Sequence, residues 1–172
     1  NLLGLNLIMN TADIVTTLAE ILQSKNWKMA AAESCTGGLV CASLTEIAGS
    51  SEWFERGYIT YSNAAKMECL GVSDKLLEAF GAVSEEVAKA MAEGAQVSAG
   101  VNAALSITGI AGPSGGSAEK PVGTVCFGWA IQISSSESRV ISKTIHFDGD
   151  RSAIREQAKD YALAELIALL RN

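Results

Sequence analysis

The chain has 172 residues, 48% of them hydrophobic, and 13 Lys and Arg stand against 19 Asp and Glu for a formal charge of −6. One packed domain is the expectation at this length, and an acidic balance argues against nonspecific binding to nucleic acid or anionic membrane, though not against a local basic pocket. A single histidine, His146, excludes a zinc site built from two or three histidines, and any Ser-His-Asp arrangement would rest on that one side chain.

Residues 1–10 (NLLGLNLIMN) are mildly apolar but have no basic segment and no small-residue cleavage site. They are read as an extension, upstream or vector-derived, with the domain occupying 11–172. Thr11 is placed to cap a helix through Ile14, Leu18, Ile21 and Leu22, at helical spacing. Residues 27–32 read as a buried strand that breaks at Glu33-Ser34-Cys35-Thr36-Gly37-Gly38. Helical spacing then resumes at Leu39, Val40, Leu44 and Ile47 and ends at Gly49. A second strand is predicted at 58–61, with Ser62-Asn63 capping a short helix that stops before Gly71. Ser73-Asp74 opens the next helix, and Ser84-Glu85-Glu86 a longer one whose acidic first turn suits the helix dipole.

A buried strand at 103–107 runs into the glycine-rich loop 109–117. Two strands, 123–133 and 139–147, then form a hairpin around a serine turn. Asp150 caps a last helix with Ile154, Ala158, Ala162, Leu166 and Leu169 on its stripe. Interleaved helices and strands give an α/β class, and the hairpin makes the sheet mixed rather than purely parallel. No apolar run reaches the roughly 18 residues of a membrane span. Cys35, Cys41, Cys69 and Cys126 include no C-x-x-C pair and match no zinc spacing. They read as reduced thiols of a cytoplasmic protein.

Chemistry concentrates in two glycine-containing loops, each following a strand. In 33–38 a hydroxyl and a thiol sit before a helix N-terminus, where amides can hold phosphate, carboxylate or a developing oxyanion. Ser34 is the candidate nucleophile and Cys35 its rival, since a helix N-terminus lowers a thiol pKa. Loop 109–117 is neither G-x-x-x-x-G-K-[ST] nor G-x-G-x-x-G, so nothing supports ATP hydrolysis or dinucleotide binding. A serine nucleophile needs a base. His146 is one candidate, on an alternating strand. A lysine of lowered pKa is another, and Tyr61 and Lys66, at a strand end and one turn into the next helix, can both face the mouth of the sheet.

Three strings in order, Ala32-Glu33-Ser34-Cys35-Thr36-Gly37-Gly38, Ala48-Gly49-Ser50-Ser51-Glu52-Trp53-Phe54 and Gly57-Tyr58-Ile59-Thr60-Tyr61-Ser62-Asn63-Ala64-Ala65-Lys66, resemble the CinA C-terminal family. Gly81-Ala82-Val83-Ser84, Ser106-Ile107-Thr108-Gly109-Ile110-Ala111-Gly112-Pro113, Gly115-Gly116-Ser117 and Lys120-Pro121-Val122-Gly123-Thr124-Val125 extend the resemblance over roughly 11–170. It implies a single three-layer α/β/α domain with a mixed sheet, no metal or organic cofactor, and a homo-oligomer, commonly a dimer. The implied activity is hydrolysis of the carboxamide of nicotinamide mononucleotide (NMN) to nicotinic acid mononucleotide and ammonia, in pyridine-nucleotide salvage.

The resemblance assigns the nucleophile to Ser34, its support to Tyr61 and Lys66, and the loop threonine to Thr108, which could orient either substrate or Lys66. Glu33, Cys35, Thr36, Gly37 and Gly38 would line one substrate cradle, and Gly109, Gly112, Gly115, Gly116 and Ser117 the other. Which cradle holds phosphate and which the oxyanion stays open. The alternative class is a non-catalytic nucleotide-binding or competence and DNA-damage-response module.

Overall fold

The computed structural model describes residues 9–172; residues 1–8 of the N-terminal extension lie outside the described residues. In chain order the elements are α1 (Thr11–Lys25), β1 (Met29–Glu33), α2 (Leu39–Thr45), a 3-10 turn (Ser50–Glu52), β2 (Phe54–Ile59), α3 (Asn63–Leu70), α4 (Asp74–Phe80), α5 (Glu85–Ala99), β3 (Ala103–Gly109), β4 (Thr124–Gln132), β5 (Ser138–His146) and α6 (Arg151–Arg171). No helix among the described residues is long and apolar enough to cross a membrane.

One five-stranded sheet runs β2-β1-β3-β4-β5. β1 pairs in parallel with β2 and β3, and the β4–β5 hairpin adds antiparallel strands, so the sheet is mixed as predicted. The β1–β2 crossover leads to one side of β1, and the next crossover returns the chain to its other side as β3. Loops leaving β1 and β3 therefore emerge together at a topological switch point, the crevice where open α/β sheets bind ligands.

Side-chain alternation makes two unequal faces. Met29, Ala31, Leu105, Ile107, Phe127 and Trp129 pack with Leu18, Leu22, Val40, Leu44, Ile154 and Leu166 of α1, α2 and α6. On the other face Ala30, Ala32 and Ala104 meet Leu70, Leu77, Val87, Met91 and Ala95. Those small residues let α5 settle close to the sheet. Ser106 Oγ donates to Ala88 O at 2.6 Å. A Cβ at Gly94, in mid-α5, would stand inside the contact radius of Leu70 O, so this glycine sets how closely α3 approaches. Helices on both faces make the three-layer α/β/α arrangement.

Capping follows the sequence with one exception. Ser62, Ser73, Ser84 and Asp150 each accept from the amide three residues on. Asn10, not Thr11, caps α1 by accepting from Asp13 N, and Thr11 Oγ1 instead donates to Asp160 of α6 at 2.7 Å. Two adjacent polar residues at the start of an apolar stripe leave the cap ambiguous by one position. β2 lies several residues earlier than the predicted 58–61, because an exposed edge strand with Glu55 and Arg56 in it shows no apolar alternation.

Candidate active site

The strand β1 is buried along its whole length and delivers Glu33 and Ser34 to the switch point. Gly37 and Gly38 then carry φ of 58° and 108°, conformations in which side chains are strained, and a Cβ on Gly38 would lie 3.2 Å from Ile59 Cδ1. This turn brings the chain straight from strand into α2. Glu33 is fully buried and accepts from three amides of that helix start: Gly38 at 3.1 Å and Val40 at 3.0 Å on Oε1, and Cys41 at 3.0 Å on Oε2. A carboxylate on a helix N-terminus satisfies orphan donors and the dipole together.

That cap changes the reading of the first cradle. Glu33 keeps no surface for a ligand, and the Gly38 amide is occupied by it, while Gly37 N donates to Ser34 O at 3.1 Å. Thr36 is also fully buried, its hydroxyl without a partner. Of this loop, Ser34 and Cys35 reach the cleft, which has a volume of about 490 Å³ including its open mouth. Tyr61, Lys66, Thr108, Gly109, Ala111 and Arg151 line the rest of it, with Ala82 and Val83.

Lys66 occupies the first turn of α3, behind Ser62, and is 1% exposed. Its Nζ lies 3.0 Å from Ser34 Oγ, donates to Thr60 O at 2.8 Å, and lies 3.4 Å from Tyr61 O. It forms an ion pair with no carboxylate among the described residues. Burial of an ammonium without a countercharge holds its pKa below the ordinary lysine value. That shift is toward the neutral amine, the form that can accept a proton from Ser34.

Tyr61 gives Lys66 its main-chain carbonyl, while its phenol hydroxyl lies 3.3 Å from an Arg151 nitrogen and the residue is 63% exposed. Thr108, at the end of β3, donates to Ala82 O at 2.8 Å, which fixes its rotamer and leaves the oxygen's lone pairs for the cleft. The rival nucleophile is weakened by its surroundings. Burial pushes the Cys35 thiol up to about 11, more than Arg155 and Lys66 nearby can offset, so it stays protonated near neutral pH. All four cysteines are free thiols.

The second cradle is only half in the cleft. Gly109 lines it, while Gly112 is tied to Arg151 through its carbonyl at 2.7 Å. Gly115, Gly116 and Ser117 are exposed and lie outside the cleft lining, in a turn closed by the Ser117–Lys120 hydrogen bonds. His146 is likewise outside it, its Nε2 3.0 Å from Val122 O.

Two arginines escaped the sequence reading. Arg151 and Arg155 follow the Asp150 cap one helical turn apart on α6. Arg155 donates from Nε to Cys35 O at 3.0 Å and from a terminal nitrogen to Thr36 O at 3.1 Å, clamping the turn that carries Ser34. Their spacing of four, just after a cap, was the available signal. Nothing local linked α6, more than 110 residues downstream, to Ser34.

The sequence model of the CinA C-terminal domain matches residues 11–170. The chain belongs to this family. The "Nicotinamide-nucleotide amidohydrolase PncC" of Enterobacter agglomerans is 52% identical over 88% of this chain and 90% of its own length. The protein of the same name from Pseudomonas putida is 47% identical over 91% and 94%. A "CinA-like protein" of Syntrophobacter fumaroxidans is 55% identical, but the chain spans only 35% of it. Among solved CinA-family structures, the competence or damage-inducible protein of Enterobacter asburiae superposes with a TM-score of 0.88 at 34% identity, covering 94% of this chain and 99% of that one. The Agrobacterium tumefaciens protein gives 0.84 at 42% identity, covering 92% and 96%.

Proposed function

We propose that the chain is an amidohydrolase that converts NMN and water to nicotinic acid mononucleotide and ammonia, with Ser34 as nucleophile and Lys66 as base. The observation that carries this reading is Lys66 Nζ, buried without an acidic partner, 3.0 Å from Ser34 Oγ in an open cleft. The names of relatives spanning nearly the whole chain supply the substrate.

In this mechanism neutral Lys66 takes the Ser34 proton as Oγ attacks the carboxamide carbon. The negative oxygen of the tetrahedral intermediate is held by the Cys35 amide, the main-chain N–H that directly follows the nucleophile. The C–N bond breaks, and Lys66 returns the proton to the departing ammonia. Water then adds to the acyl-serine with Lys66 again as base, releasing the carboxylate and restoring Ser34. Thr108 and Tyr61 border the space in which the ring would sit.

A purely ligand-binding damage-response module would have no use for an unpaired lysine buried against a serine. The proposal extends to a cytoplasmic role in salvage and to a homodimer. β2 is an open sheet edge that ends in exposed Ile59, with exposed Met67 on the helix that follows, a surface suited to a second copy. Ammonia release from NMN by the purified chain tests the reading. Ser34→Ala should bind NMN without turnover, and full activity in that variant would remove Ser34 from the mechanism.

A further inference from the structure

We infer that Arg155 is a positioning residue for the reaction: from α6 it fixes the main chain of the turn at 34–37, so that Ser34 Oγ and the Cys35 amide keep the geometry of attack. The inference rests on the amidase reading for what Ser34 does. Its own basis is the hold of a charged side chain on a glycine-containing turn.

Arg155 does not line the cleft. It is half-buried against the turn, donating from Nε to Cys35 O at 3.0 Å and from a terminal nitrogen to Thr36 O at 3.1 Å. These are successive carbonyls, so one rigid guanidinium fork sets two consecutive peptide planes. The same terminal nitrogen lies against Gly37, 3.5 Å from where a Cβ would stand. Among the described residues Arg155 forms an ion pair with no carboxylate, and Glu156, next to it in the chain, pairs with Lys159 instead. Its charge is therefore directed at the two carbonyls, and charge-assisted hydrogen bonds are the strong kind. That charge is also felt at residue 35, where it opposes the rise that burial imposes on the thiol.

The turn needs such a hold. Gly37 and Gly38, at φ of 58° and 108°, give it little stiffness of its own. Beyond them Glu33 takes the Gly38, Val40 and Cys41 amides; before them Arg155 takes the Cys35 and Thr36 carbonyls. Opposite charges thus grip complementary backbone groups on either side of Gly37. On the strand side the Ser34 amide donates to Ile107 O at 3.0 Å. Arg155 is itself carried on a fixed platform, since Ile154 and Ala158 of the same helix are buried in the core. An oxyanion donor acts only on the transition state, and a shift of about 1 Å in such a group costs up to about 10²-fold in rate.

The test compares wild type with Arg155→Met, which keeps the stem and removes the fork, and Arg155→Lys, which keeps the charge and loses the planar geometry. Ammonia release from NMN is measured alongside amide hydrogen exchange in peptides covering 34–41. Arg155→Met should lower kcat by about 10–10² with KM within about threefold of wild type, and Arg155→Lys should retain more of kcat than Met. Exchange across 34–41 should quicken by about tenfold or more in Arg155→Met and remain as in wild type across α5 and β4. If Met loosens the whole domain, the same comparison between wild type and Lys decides.

A kcat within about twofold of wild type, or unchanged exchange in 34–41, would overturn the inference. So would a rise in KM at constant kcat, which would put Arg155 on the substrate rather than on the turn. Should wild type release no ammonia from NMN while exchange in 34–41 quickens in Arg155→Met, the amidase reading fails and the hold of Arg155 on the turn stands.

Discussion

Replacing Lys66 by Met isolates the group on which the proposed chemistry turns, because it removes the amine and keeps the stem that fills the core. Nζ is almost wholly buried and has three oxygens but no counterion. Holding an ammonium there costs several kcal/mol, and apolar replacement of buried charge is often stabilising by about 1–4 kcal/mol. The loss on the other side is the good hydrogen bond to Thr60 O at 2.8 Å and a weak one to Tyr61 O at 3.4 Å, together about 1–2 kcal/mol. Near neutral pH the variant should therefore be more stable by about 1–2 kcal/mol, a rise in Tm of about 2–6 °C for a chain of this size.

The pH dependence has a definite sign. Because burial places the folded-state pKa of Lys66 below 10.5, the native protein binds fewer protons than the unfolded chain between the two values. Wild-type stability relative to Lys66→Met thus rises through that window, and the variant's advantage shrinks and reverses at alkaline pH. Activity moves the opposite way from stability: kcat should fall by about 10²–10⁴, with loss of the alkaline rise in the pH–rate profile. Thermal melts across pH, paired with ammonia release, check all three. A variant that is less stable at neutral pH, by a margin independent of pH, would refute the buried-amine reasoning.

Glu33→Gln replaces a carboxylate that accepts three amides with a group that must aim an NH₂ at one of them, so it should destabilise by about 2–3 kcal/mol in denaturant melts and lower activity by loosening Ser34. Cys35→Ala should keep activity within about tenfold, and iodoacetamide should inactivate wild type only slowly near neutral pH, because the thiol sits at about 11; rapid inactivation would restore Cys35 as a candidate nucleophile. Thr36→Val removes a buried hydroxyl without a partner and should gain up to about 1 kcal/mol with turnover retained. Gly94→Ala drives a Cβ into Leu70 O at the end of the helix that carries Lys66, and both stability and kcat should drop; unchanged kinetics would separate that helix's packing from the site.

The two glycine loops were readable because strand, turn and helix cap are local signals, and their convergence followed from β1 and β3 being parallel neighbours. Ser34, Lys66 and Thr108 reached one cleft through that topology. The roles of the first cradle were less legible. Glu33 stands in a string that reads as ligand-facing, but a carboxylate at the end of a buried strand can satisfy a helix start instead, and only the path of the turn decides between them. Arg151 and Arg155 could not be connected to the site by pattern, since a helix face becomes functional here only after α6 packs across the sheet. The β2 strand was displaced in the sequence reading because an edge strand carries neither continuous burial nor alternation.

The most direct test of the central claim is single-turnover mixing of the chain with carbonyl-labelled NMN and acid quench. The account predicts ammonia released ahead of nicotinic acid mononucleotide, with label trapped as an ester on Ser34 and neither event in Ser34→Ala. Simultaneous release of the two products with no labelled protein, or unimpaired release by Ser34→Ala, would contradict a serine acyl-enzyme.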